Sequence, residues 1–143
     1  MAAAGGLRDT LGAMLGDKNI YRSPQALGPA YEDPRKVSDA DIETYLRPLL
    51  ATERRLEDFR RFLAAFDNKH TLAIEDRLKQ LQAPTLIVWG TDDVYFPVVW
   101  ARWLAKTIPG TKRSVVLTGA RIYFPEERWA EFNRELRAHW QAV

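Results

Sequence analysis

Residues 84–97 read PTLIVWGTDDVYFP. An apolar, partly β-branched run, Thr85 to Trp89, stands between Pro84 and Gly90, and two acids, Asp92 and Asp93, follow before Pro97. A short apolar run bounded by turn residues has the pattern of a buried strand. Pro97 suits the first turn of a helix carrying Val98, Val99, Trp100, Trp103 and Leu104, which Pro109-Gly110 ends. Ser114 to Leu117 is a second strand. Pro125-Glu126-Glu127 opens a last helix with Trp129, Phe132, Leu136 and Trp140, its acids at the positive helix end.

Strand, helix, strand over this length predicts a parallel βαβ unit, right-handed by strong precedent. Parallel strands with unbroken apolar runs are buried on both faces and flanked by further strands. Only two strands are evident, so the edge of Leu86–Trp89 would be an open template for pairing. The chain therefore reads as part of a larger sheet.

The residues before this unit read as helical. Leu7, Leu11, Met14 and Leu15 fall at helical spacing up to Gly16-Asp17. A connector rich in proline and glycine follows, through Ser23-Pro24, Gly28-Pro29 and Asp33-Pro34. Ser38 with Asp41 three residues on is an Asp variant of the capping box, opening a helix with Ile42, Tyr45, Leu46 and Leu49. Pro48 should kink or end it. Leu56, Phe59, Phe62, Leu63 and Phe66 form one apolar stripe among charged residues, an amphipathic helix expected to bury that stripe. Thr71 is read as the cap of one more helix through Leu81.

The totals bound the function. A chain of 143 residues, 46% hydrophobic and 11% aromatic, is long enough for one folded domain with a modest core. A net charge of +2 without a block of like charges argues against nucleic-acid binding. There is no cysteine, which excludes disulfides, thiolate metal sites and a thiol nucleophile and is compatible with a cytoplasmic location. The opening MAAAGGLRDT lacks the apolar core of a secretory signal, and no stretch approaches the roughly 20 apolar residues of a membrane span. His70 and His139 lack acids at helical spacing, so no metal site is expected.

Asp92 and Asp93 allow two readings. They make a turn and cap the next helix, or one of them is a functional carboxylate beyond the C-terminal end of a parallel strand, where open α/β sheets place such groups.

The residues that weigh on this choice are Leu81-Gln-Ala-Pro-Thr-Leu-Ile-Val-Trp-Gly-Thr-Asp-Asp93, then Pro97, Ile108-Pro109-Gly110 and Phe124-Pro-Glu-Glu-Arg128. Together they resemble the C-terminal part of the α/β-hydrolase family, in its haloalkane dehalogenase and epoxide hydrolase branch. The resemblance implies a helical lid-like region over residues 1–82 and the last βαβα of a mostly parallel α/β-hydrolase core over 83–143, incomplete as a single chain. It implies hydrolysis of small apolar halides, epoxides or esters without a cofactor. The Gly-x-x-Asp pattern Gly90 to Asp93 places Asp93 at the triad-acid position, where it would hold a histidine for general-base work. Phe62, Phe66 and Trp100 are the candidate contacts for a small apolar ligand.

Two parts of that machinery are missing. The family's loop after the last strand carries its histidine in a pattern like Ala-Gly-His-Phe-Pro-His-Glu-Glu-Arg, whereas this chain reads Ala120-Arg-Ile-Tyr-Phe-Pro-Glu-Glu-Arg128. Ile122 therefore stands where the base is expected. Neighbouring Tyr123 would need a strongly depressed pKa to replace it. No serine or aspartate lies on a strand–elbow–helix between glycines; Gly12-Ala-Met14-Leu-Gly16 has only the outline. Catalysis by this chain alone is not expected. The alternative is a non-catalytic small-molecule-binding or self-assembling module. The open edge implies a homo-oligomer or a second chain supplying strands.

Overall fold

The computed structural model describes residues 4–142. The first three residues of the opening stretch, and Val143, lie outside the described residues. The order is α1 (Ala4–Gly16), α2 (Lys18–Arg22), α3 (Asp39–Leu50), α4 (Glu53–Ala64), α5 (Lys69–Leu72), α6 (Glu75–Leu78), β1 (Thr85–Gly90), α7 (Val99–Thr107), β2 (Thr111–Leu117), α8 (Phe124–Glu127) and α9 (Trp129–Gln141), with 3-10 turns at Gly28–Ala30 and Pro34–Lys36. Two compact units divide the chain. One runs through Gly28 and resumes over Asp33–Asp67; the other joins Pro29–Glu32 to the chain from Asn68 onward.

The first unit is helical. The Ser38 hydroxyl accepts the Asp41 N–H at 3.1 Å while Asp41 Oδ2 accepts the Ser38 N–H at 3.2 Å, the reciprocal cap read from the sequence. Pro48 sits in the last turn of α3, which ends at Leu50. Leu11, Tyr21, Val37, Ile42, Leu46 and Leu56 are buried. Arg22 donates to the Val37 carbonyl through Nε and Nη2 (3.0 and 2.6 Å) and pairs with Asp39, tying the connector to the start of α3. The α4 stripe corrects the expectation: only Leu56 is buried, whereas Phe62, Leu63 and Phe66 are exposed. Their periodicity marked an apolar face, but among the described residues of this unit nothing buries Phe62, Leu63 or Phe66.

In the second unit the expected single helix from Thr71 is two one-turn helices. The Thr71 hydroxyl donates back to the Asn68 carbonyl at 2.8 Å and caps nothing. The two strands pair in parallel as predicted, from Leu86 opposite Arg113 to Gly90 opposite Leu117, with one irregularity between Thr85 and Leu86. β2 begins three residues earlier than its apolar run implied. On one face, α9 brings Phe132 onto a cluster of Leu117, Ala120 and Phe124 joined by Val88 and Val115. Arg113 of β2 reaches the buried Glu135 of α9 at 2.6 Å. Neither strand is enclosed on both faces: Ile87 and Gly90 are the buried positions of β1, and Val116 of β2 is exposed. The observed fold is helical with a small two-stranded parallel sheet. No helix of the described residues is long and apolar enough to cross a membrane.

Candidate functional site

The loops that leave β1 and β2 are stitched together at the C-terminal ends of the strands. Thr91 N–H donates to the Leu117 carbonyl and Asp92 N–H to the Ala120 carbonyl, each at 3.0 Å. The Thr91 hydroxyl accepts the Gly119 N–H at 2.8 Å and donates to Asp92 Oδ1 at 2.6 Å. Two glycines make this approach possible. A Cβ at Gly90 would overlap the Ala120 carbonyl, 2.5 Å from its carbon, and Gly119 holds φ at +78°.

This frame presents Asp93. Its Oδ1 accepts the N–H groups of Tyr95 and Phe96, both at 2.9 Å, and the Trp89 indole N–H closes the same loop on the Phe96 carbonyl at 2.8 Å. The carboxylate is thus an Asx-type turn former, half-buried and fixed in direction. Among the described residues no hydrogen bond reaches its Oδ2, so one oxygen serves the turn and the other is left for a donor. Turn-making and a functional carboxylate are compatible in this geometry. Asp92 is spent on the Thr91 hydroxyl.

Across the stitched loops, the segment from Ala120 holds Ile122 half-buried. Isoleucine offers no proton acceptor. Tyr123 donates its N–H to the Ala30 carbonyl at 3.2 Å, and its ring lies 4.6 Å from that of Tyr31, tilted by 36°. Burial pushes the Tyr123 phenol above its ordinary value, and Glu126 and Tyr95 add to the shift. That direction is the reverse of what a base requires.

The apolar ligand candidates divide between the units. Phe62 and Phe66 meet edge to face at 5.5 Å on α4, 58% and 74% exposed, and Phe59 stacks on Phe62 at 6.3 Å. Trp100, 51% exposed, packs edge to face on Trp103 at 6.1 Å at the start of α7, and Val94, Tyr95 and Phe96 are exposed in the loop before it. The burial expected for the α4 stripe does not hold for Phe62 or Phe66, and Trp100 is exposed as well. His139 is half-buried beside Leu86, Val88 and Leu136. His70 is exposed. Among the described residues no group of three metal-ligating side chains converges.

Sequence reasoning missed the part played by Pro29–Glu32, placed in the connector. Tyr31 is buried under Tyr123, Glu32 N–H donates to Glu127 Oε2 at 2.6 Å, and Arg128 Nε donates to Glu32 at 2.7 Å. These partners lie more than 90 residues apart, beyond any local period. Thr91, whose hydroxyl joins the two loops, had a signal only in its place between Gly90 and Asp92.

No protein-family model matches this sequence. A curated relative, the 2-hydroxy-6-oxononadienedioate/2-hydroxy-6-oxononatrienedioate hydrolase of Cupriavidus pinatubonensis, is 31% identical over 102 residues, 67% of this chain and 35% of that protein. A solved structure, described as Est816 as an N-acyl homoserine lactone degrading enzyme, superposes with a TM-score of 0.57 at 28% identity, over 90% of this chain and 50% of that one. The chain thus spans about a third of the length of the curated relative and half of the solved structure. With the stitched strand ends and the acid they present, these likenesses give the chain a hydrolase-like fold.

Proposed function

We propose that this chain is the lid-like region and final core segment of an α/β-hydrolase, carrying the triad-acid position at Asp93 and unable to complete turnover by itself. The parent activity is hydrolysis of small apolar halides, epoxides or esters. Support for the ester side comes from the solved relative, described as degrading an N-acyl homoserine lactone, which is a cyclic ester; the curated relative supports hydrolysis in general by its name. The observation that carries the reading is Asp93: its carboxylate is pinned by two backbone N–H groups at the end of a parallel strand, with its second oxygen open. In such a site that oxygen would accept a hydrogen bond from the Nδ1–H of a histidine and orient the ring to draw a proton from water. Ile122 cannot play that part, and the raised phenol of Tyr123 stays protonated through the neutral range. A small apolar ligand has Trp100 to rest on in the unit that carries Asp93; Phe62 and Phe66 are a separate candidate surface on α4.

The test is hydrolysis of an activated ester, with halide release from a short haloalkane in parallel. The chain alone should show no turnover above buffer. Ile122→His, mixed with the half of the solved lactone-degrading relative that this chain does not match, should gain turnover that Asp93→Asn removes. Turnover by the native chain alone would refute the reading, as would no gain in a folded complex carrying the histidine. The second reading, a binding or self-assembling module without chemistry, draws on the exposed Phe62, Phe66 and Trp100 and predicts ligand uptake or self-association that is indifferent to residue 122.

A further inference from the structure

α7 lies against both strands and turns Ala101 and Ile108 inward, both buried. With 3.6 residues per turn, Val99, Trp103 and Lys106 run along its outer side, with Arg102 on one flank and Trp100 on the other. The loop before it adds Val94, Tyr95 and Phe96, and these three with Val99 and Trp100 are each about half exposed. Single apolar residues on a surface need no explanation, but a run of this kind marks a contact.

The charge of this face has one sign. α7 carries no acid, and among the described residues neither Arg102 nor Lys106 pairs with one. Lys106 suits the negative end of its helix, but Arg102, in the middle, has no such reason to be there. The acids nearest in sequence precede the loop: Asp92 is held by the Thr91 hydroxyl and Asp93 by its turn. Trp100 and Trp103 pack edge to face, and among the described residues neither indole N–H has an acceptor.

We propose that the outer face of α7, with the loop from Val94 to Phe96, is a docking surface for an anionic lipid bilayer, on which the chain lies peripherally. The proposal is independent of the hydrolase reading. Such binding needs no spanning helix, because the apolar face sinks only about 5–10 Å into the headgroup zone. Tryptophan is the side chain that zone selects, its ring toward the acyl chains and its N–H toward lipid oxygens. Arg102 and Lys106 reach the lipid phosphates from long apolar stems, and each basic side chain near an anionic surface raises partitioning roughly fivefold. A second copy is the poorer occupant of this face, since a two-fold contact gathers the cations of both copies with no acid of α7 among them. An acidic protein segment is poorer too, because one helix face offers neither the groove nor the free backbone edge that peptide recognition uses.

The experiment is sedimentation of the full chain with vesicles of phosphatidylcholine alone or with phosphatidylserine added, together with tryptophan emission. The anionic vesicles should bind roughly twentyfold more strongly than the neutral ones, and rising salt should weaken that binding. Arg102→Gln with Lys106→Gln should erase most of the difference. Trp103→Gln should weaken binding roughly tenfold and reduce the blue shift of the bound chain. All four side chains face outward, so circular dichroism should show each variant folded. Trp140→Gln and Arg137→Gln, exposed on α9, and Phe62→Gln with Phe66→Gln on α4, should bind like the native chain. Several results would overturn the proposal. One is no binding to either vesicle, or equal binding to both. Another is binding that ignores Arg102, Lys106 and Trp103 but is lost with Phe62 and Phe66, which would put the contact on α4. A third is a concentration-dependent dimer that Trp103→Gln abolishes, which would give this face to a second copy. The last is a chain that ignores vesicles yet binds polyglutamate through Arg102 and Lys106, which would make the partner an acidic protein segment.

Discussion

Gly90→Ala places one methyl group where β1 runs into the loop that follows β2. The new Cβ would lie 2.5 Å from the Ala120 carbonyl carbon and 3.1 Å from the Arg121 nitrogen, and would overlap the Ala120 oxygen. These are backbone atoms, so no side chain can swing aside. Overpacking of this kind costs about 1–3 kcal/mol, and a backbone obstacle belongs at the upper end. The same oxygen accepts the Asp92 N–H at 3.0 Å, so moving it weakens a bond worth about 1 kcal/mol. The expected loss is therefore about 3–4 kcal/mol. Urea titration followed by tryptophan fluorescence suits the measurement, because all five tryptophans lie beyond Asn68, in the unit that contains Gly90. Gly12→Ala is the control. It adds the same methyl in the middle of α1 with nothing within 4 Å, and should stabilise by about 0.5–1 kcal/mol through helix propensity, read by circular dichroism. A Gly90→Ala loss below about 0.5 kcal/mol would refute the close approach of the two loops.

Two further outcomes follow from charge. Arg113→Ala leaves the Glu135 carboxylate, 6% exposed, without the guanidinium at 2.6 Å, and Arg134 at 3.5 Å compensates weakly; a loss of about 2–3 kcal/mol by urea titration is expected, and replacing both partners with apolar residues should recover most of it. Tyr123 has a folded pKa raised above its unfolded value near 10, so folding favours the neutral phenol. Its contribution is complete below pH about 10 and lost as pH rises through the folded value; Tyr123→Phe should flatten the alkaline fall in melting temperature, and an unchanged fall would refute it.

The parts legible in the sequence are those with a local cause. Thr85 to Trp89 could be read as a strand because Pro84 and Gly90 bound an apolar run, and Ser38 with Asp41 announced α3 because a cap needs only four residues. Asp93 was legible as a position, though the two N–H groups that fix it come from the turn that Tyr95 and Phe96 make. What escaped had a distant cause. Tyr31 lies under Tyr123 and Glu32 meets Arg128 through contacts that no periodicity encodes. Phe62 and Phe66 were read as buried because a stripe says which face is apolar and not what covers it. Thr71 was read as the cap of one helix through Leu81, but its hydroxyl bonds backward to Asn68 and the segment breaks after Leu72.

The join at the strand ends is made by main-chain groups and the Thr91 hydroxyl, and neither the Asp93 carboxylate's free oxygen nor the side chain at 122 takes part in it. Under the proposed reading, chemistry and architecture are therefore carried by separate atoms. A substitution at residue 122 can therefore change what this loop offers a ligand without loosening the frame that holds it. The stitched loops are in that sense a chassis: the side chains they display can be exchanged one at a time while the main chain keeps its course.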